Sequence, residues 1–574
     1  MKSRVIAPAL TVFVLLGGGP ARGGPRRAVA IPRPSDGAVQ CTEGAVGNAQ
    51  VTAFDALHPI ETDLIIAAAA ASLDSDTMTV AVVDRAGTPL AVFRKPNADP
   101  ANDDRAIGLA RSAAYFSNDM APLSSRTVRF ISGIHFPPGV IDAPNAPLYG
   151  IENTNRGCSL NVPFNSGLSI APATSVNGKP CTPFDKSGCG PGIVTGKQQP
   201  EDTDPSSVDA GGIPLYRIVP PGLDRVAEGV LSNGKLIGGI GVAGIAGDPQ
   251  LAEFAAVTGA FGALASGNGP IAPVPFYPIP EPGNVFIGGI RLPFLGPDLK
   301  LTFDSRGVPN GLQQPAGTRP GSPEGTLLVQ NGGCAPNGYL AGPRAGSLLS
   351  QGEVDAVVQR AIATAKKTRA IIRLPLNSYA RMVIAVGDVD GSILALYRMP
   401  DATVFSIDVS VAKARNVVYF SGSDPAARDD LPGVPPGSAV SNRTIGYGAQ
   451  PLYPPGIDSA AFGVAPGPFS RLFVDDLANP CTQGSQAPNQ NQNGIVFFPG
   501  STPLYRGSQL VGGLGISGDG VDQDDYVTVG GAGPLLPDPK IWADQTKLGG
   551  VRLPMFKFPR QPEGVTECGG GPCH

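Results

Sequence analysis

Histidine and tryptophan are almost missing: three histidines and one tryptophan in 574 residues. With so few histidines no recognisable Ser-His-Asp triad forms. No G-x-S-x-G elbow, H-E-x-x-H or paired CxxC pattern is present either, so neither hydrolysis nor conventional zinc chemistry finds support. Charge is scarce as well, at 16%, against the roughly 25% usual for soluble proteins. No Lys/Arg cluster forms a stripe and the net charge is −4, which argues against nucleic acid or an anionic membrane surface as partner. No G-x-x-x-x-G-K-[ST] phosphate loop occurs. Beyond the N-terminus no apolar run approaches the ~20 residues needed to span a membrane.

Glycine and proline are in excess, 77 and 61 residues, about a quarter of the chain together. The apolar fraction of 42% is still enough for real cores. Compact domains decorated by loop-rich segments are expected. Length alone suggests three or four domains of ~150 residues.

The start, MKSR followed by an apolar stretch from Val5 to Leu16 and then small residues, has the parts of a cleaved secretory signal, placed at 1–30. A secreted or periplasmic location follows, with no membrane span after cleavage. Eight cysteines follow: Cys41, Cys158, Cys181, Cys189, Cys334, Cys481, Cys568 and Cys573. An even number in an exported chain favours disulfides. Cys181 and Cys189 close a short loop and are the first pair expected.

The chain repeats itself. VAVVDRAGTPLAVFRK at 80–95 and IAVGDVDGSILALYRM at 384–399 each read as two strands across a Gly-containing turn. Each precedes a helical pattern containing Ala-Arg, at Ala110-Arg111 and Ala414-Arg415, and ending in Tyr-Phe. Asp84 matches Asp388, Gly87 matches Gly391 and Arg94 matches Arg398. LHPIETDLIIAAAAAS from Leu57 matches LSQGEVDAVVQRAIAT from Leu349; both read as helices. Ser350 with Glu353, and His58 with Pro59 and Glu61, mark their starts. LIGGIGVAG at 236–244 matches LVGGLGISG at 510–518. The following helix is clear at 249–264 but short and weak at 522–529. Unequal insertions between these blocks read as surface loops, and stretches as long as 117–212 are usually functional or disordered. Two domains are expected instead of three or four.

Hairpin, helix and glycine block, twice and in one order, resemble the GlcG/HbpS family of haem-binding domains, itself similar to the C-terminal domain of PduO-type cobalamin adenosyltransferases. The resemblance implies an α+β fold: two tandem domains, each a five-stranded antiparallel sheet with packed helices and long Pro/Gly-rich insertions. The expected limits are 51–300 for the first domain, 301–345 for a linker, 346–560 for the second domain and 561–574 for a Cys-containing tail. It also implies haem or a related tetrapyrrole as non-covalent cofactor and partner, and a homo-oligomer.

A haem needs an apolar slot, cations for its propionates and an axial ligand. Arg94, Arg111, Arg398 and Arg415 are the propionate candidates, each weighed against a structural ion pair. Gly239 and Gly513 would let a flat ligand approach the backbone, or let a helix pack closely. His58 lies near where PduO-type domains place a haem-ligating histidine and is the axial candidate. The second half has Ser350 there and would need Tyr, Thr or Met399. The terminal CGGGPCH offers a C-x-x-x-x-C-H variant of a c-type haem site, with Cys568 and Cys573 as thioether attachment and His574 as metal ligand, against a disulfide at these cysteines. Haem capture, storage or sensing without catalysis is the expected role. The alternatives are a redox or haem-degrading enzyme using that c-type centre, and a structural or interaction protein that has lost its ligand.

Overall fold

The computed structural model describes residues 56–165, 210–218, 234–264, 269–275, 283–303, 309–329, 335–457 and 465–565, with scattered positions between them. The expected signal segment, Cys41, Cys334, Cys568, Cys573 and His574 lie outside the described residues.

The first half contains α1 (Pro59–Ala71), β1 (Thr79–Asp84), β2 (Pro89–Arg94), α2 (Asn102–Phe116), β3 (Gly212–Ile218), β4 (Gly234–Ala243), α3 (Pro249–Gly262) and β5 (Ile271–Ala272). The segment between the halves holds β6 (Thr326–Val329) and β7 (Gly338–Ala341). The second half contains α4 (Gln351–Ala365), β8 (Met382–Gly387), β9 (Ile393–Arg398), α5 (Phe405–Ser421), β10 (Ser501–Arg506), β11 (Gln509–Gly518) and α6 (Val521–Ala532). The strand orders are β6-β2-β1-β4-β3-β5 and β7-β9-β8-β11-β10, antiparallel throughout.

The four central strands correspond in order and in register. Val80 pairs with Val242 and Val83 with Gly239; Ile384 pairs with Ile516 and Gly387 with Gly513. Each hairpin turns on a glycine at positive φ, Gly87 (85°) and Gly391 (80°), a conformation that suits a residue without Cβ. Asp84 N–H donates to Thr88 O, and Asp388 N–H to Ser392 O. β1 and β8 are buried along their whole length, because helices cover both faces of each sheet. The expected helix starts are present: Glu61 accepts from His58 N–H at 2.9 Å, and Glu353 from Ser350 N–H at 2.9 Å.

Three expectations change. α6 runs through 12 residues instead of the short helix read at 522–529, because its Gly530 and Gly531 pack against α4, where tertiary contact outweighs poor propensity. The first sheet has six strands; the second has five. The expected linker 301–345 also builds: β6 pairs with β2 and β7 with β9. Each covers an edge whose backbone groups would otherwise be unpaired.

One apolar cluster runs across both halves, in which Ala110, Phe116 and Leu160 join Phe405, Ala414 and Leu514, while the other face of the first sheet packs a separate cluster around Ile65, Ile240 and Phe254. Phe116 and Phe405 stack with centroids 4.2 Å apart, and Val404 N–H donates to Tyr115 O. The described part of the first-half insertion lies across the second half: Asn155 N–H donates to Asp408 at 2.7 Å, and Arg415 donates to Leu160 O at 2.6 Å. All of α5 is buried in consequence. Among the described residues no helix is long and apolar enough to cross a membrane.

Candidate functional site

The arginines expected at propionates are engaged within the protein. Arg111 Nε donates to Gly87 O at 2.8 Å, and its counterpart Arg415 Nε donates to Gly391 O at 2.9 Å. In each half the helix arginine thus pins the hairpin turn. Arg415 also donates to Asn493. Arg398 is buried and donates to Ala402 O, Pro336 O and Asn337. Arg94 forks onto Asp103. Gly239 and Gly513 bring the helix onto the strand: a Cβ on either would meet the carbonyl of Ala110 or Ala414. His58 is half-buried at the start of α1. Met399 is in the core, its sulfur facing Met382 N–H at 3.4 Å. Tyr115, Phe116 and Phe420 are buried core residues. His135 is buried beside Ala143 O. The structure therefore does not bring the expected arginines, glycines and His58 together around one opening. Cys181 and Cys189 are bonded as expected.

A cavity of 380 Å³ opens elsewhere, between α4 and α6, within the range of ligand clefts. Arg360, Ala363, Thr364 and Lys367 form one wall; the spacing of the first three puts them on one face of α4, and Lys367 follows in the turn after its end. Tyr526, Val529 and Gly530 of α6 form the other, and Phe558 and Glu563 close one end. A Cβ at Gly530 would stand 2.7 Å from Thr364 Cγ2, so the helices touch beside the cavity. Tyr526 and Phe558 meet edge to face at 5.5 Å. Tyr526 O–H donates to Glu563 at 2.8 Å; burial, then this carboxylate, raises the phenol pKa. Arg360 caps the end of α6 through Gly531 O and Ala532 O. Lys367 is exposed at the rim.

The donor set fits a haem: a phenol oxygen for the iron, cations for carboxylates and an apolar wall with an aromatic edge. Sequence reading missed these residues because Tyr526 sits on the helix read as weak. The signal lay in the cations Arg360 and Lys367, seven residues apart at the end of α4.

The junction is electrostatically unusual. Asp408 is fully buried on α5, accepting from Asn155 N–H and Asn493. Burial lifts its pKa from 3.8 to about 6, against the pull of those donors and Arg415. The folded protein therefore holds this proton more tightly than the unfolded chain. The stability it contributes is fully present below pH 3.8 and is lost as pH rises through about 6. Asp408→Asn is expected to flatten that part of the stability profile, removing a slope worth on the order of 2 kcal/mol between pH 4 and 6. Denaturant midpoints measured across that window check it; an unchanged slope refutes it.

Residues 349–532, from the start of α4 to the end of α6, match the family model described as haem degrading protein HbpS-like. Among solved structures, the haem complex of PduOC is 20% identical, with a TM-score of 0.21, covering 32% of this chain and 94% of that one. Klebsiella pneumoniae protein ORFY, a DUF336 structure, is 18% identical, with a TM-score of 0.21, covering 32% of this chain and 88% of that one. No curated protein matches.

Proposed function

We propose that this chain binds haem or a related tetrapyrrole without a covalent bond, through its second half. The match of residues 349–532 to a haem-related family carries the reading. The cavity between α4 and α6 supports it, since most of its lining, all but Phe558 and Glu563, comes from that segment and it carries the donor set just described. Tyr526 would face the metal, with Glu563 placed to accept the phenol proton, and Arg360 and Lys367 would hold the carboxylates. A bound haem supplies the redox-active iron; the protein supplies orientation and a dry wall. The first half, with its corresponding strand order, reads as a diverged copy of the same domain. Limits near 51–300 and 346–560, export by the N-terminal segment and a homo-oligomer belong to the same proposal; a c-type centre at Cys568, Cys573 and His574 is the separate alternative. Capture, storage or sensing is the role.

Titration of the pure protein with haemin tests it. A shifted Soret band saturating at one equivalent is expected, and Tyr526→Phe weakens the affinity at least tenfold, about 1.4 kcal/mol. No Soret shift, where a known haem binder gives one, refutes the proposal. The family description also favours a second reading, haem degradation. A Soret band stable under a mild reductant in air supports holding; steady bleaching supports degradation.

A further inference from the structure

Four cysteines from distant stretches meet at one place. Cys158 is bonded to Cys481, and Cys181 to Cys189. The two bonds touch: Cys181 Sγ lies 2.9 Å from Cys481 Sγ, and the sulfurs of Cys158, Cys181 and Cys481 all lie within 4.8 Å of one another. Backbone pairing holds this arrangement. Ser159 N–H donates to Cys181 O at 2.9 Å, and Cys181 N–H to Gly157 O at 3.2 Å. Cross-linking alone requires each cysteine to meet one partner; it does not require a third sulfur in contact. Access differs too. Cys158, Cys181 and Cys481 are 3%, 0% and 1% exposed, whereas Cys189 is only half-buried. A reagent from solvent reaches Cys189 first.

The geometry points to a thiol–disulfide exchange relay whose substrate is a low-molecular-weight thiol, with Cys189 as the entry and Cys158 as the exit. In the first step the thiolate of the small molecule attacks Cys189 Sγ. A bond forms between them, the Cys181–Cys189 bond breaks, and the electron pair leaves on Cys181. In the second step the Cys181 thiolate attacks Cys481 Sγ. The Cys181–Cys481 bond forms, the Cys158–Cys481 bond breaks, and Cys158 leaves as the thiolate and takes up the proton shed by the incoming thiol. Each step is the ordinary attack of a thiolate on a disulfide sulfur through a mixed disulfide. One S–H enters and one remains, so no external oxidant or reductant is consumed. Cys481, which is bonded to Cys158 before exchange and to Cys181 after it, has φ 68°, a left-handed conformation uncommon for a residue with a Cβ. The tie between the two insertions persists throughout, spanning 323 residues before exchange and 300 after. The relay stands apart from the tetrapyrrole reading.

The test uses the full chain and glutathione. After incubation near neutral pH the protein is quenched with N-ethylmaleimide, digested without reduction and mapped by mass spectrometry, peptide by peptide. Expected in equal amounts are glutathione on Cys189, maleimide on Cys158 and a peptide pair linked through Cys181 and Cys481. Maleimide on Cys181 with Cys158–Cys481 intact overturns the relay, as does the absence of any adduct on Cys189. Cys189→Ser gives a second readout: Cys181–Cys481 forms and Cys158 is free without added thiol. A variant that keeps Cys158–Cys481 with Cys181 free overturns the relay as well. If that variant fails to fold, the wild-type map decides alone.

Discussion

Arg373→Ala is expected to lower stability by roughly 3–5 kcal/mol, the range for removing one partner of a buried ion pair. Arg373 is 1% exposed. Its Nη1 lies 2.5 Å from Asp401 and its Nε 2.8 Å from Asp519. Burial alone would raise the Asp401 pKa, but Arg373, with Lys235 and Arg85, holds it below the ordinary carboxylate range. Without the guanidinium two carboxylates would share a dry site. The network also joins the halves. Asp401 accepts from Asp119 N–H at 3.0 Å, Arg85 lies 3.9 Å from Asp401, and Lys235 pairs with Asp119 at 2.8 Å. Arg373→Lys should fall between, since an ammonium cannot fork onto both carboxylates. Denaturant unfolding measures both variants. A midpoint for Arg373→Ala within error of the wild type would mean that the network carries little of the stability.

Gly515→Val is the second large effect, a loss of roughly 3 kcal/mol at the upper end of the range for overpacking. A Cβ there would meet Ser410 O and stand 2.6 Å from Ala414 N. These are backbone atoms of α5, which cannot swing aside as a side chain can. The helix would have to lift from β11, opening the core that carries Ala414 and Leu514. Gly241 makes the same approach, with Ala110 N at 2.6 Å from its Cβ position, so Gly241→Val should behave alike. Gly352→Ala is the control: nothing lies within 4 Å of a Cβ there, and helix propensity favours alanine. Thermal unfolding of the three variants separates the cases. A Gly515→Val protein that melts with the wild type would sink the argument.

These glycines show how far the sequence could be read. The blocks at 236–244 and 510–518 recur because strand and helix must touch, and that demand is local and leaves a visible pattern. The hairpins, capping residues and helix arginines were legible for the same reason: each contact spans few residues or recurs in both halves. The arginines' partners were not legible. A guanidinium that pins a turn and one that grips a carboxylate ligand look alike until the carbonyl beside it is seen. The edge strands β6 and β7 are four residues each in a Gly/Pro-rich stretch, too short for alternation to register. The cavity escaped because its walls come from two helices about 160 residues apart, meeting a tail segment at Phe558.

The insertion that crosses from the first half onto α5 bears on how the molecule can come apart. Besides the peptide chain through 301–345, the halves are held by the Cys158–Cys481 bond, by the Phe116–Phe405 stack and by Asn155 on Asp408. A single nick in the connecting stretch would therefore leave two fragments travelling as one particle. Severing them requires both a protease and a reductant.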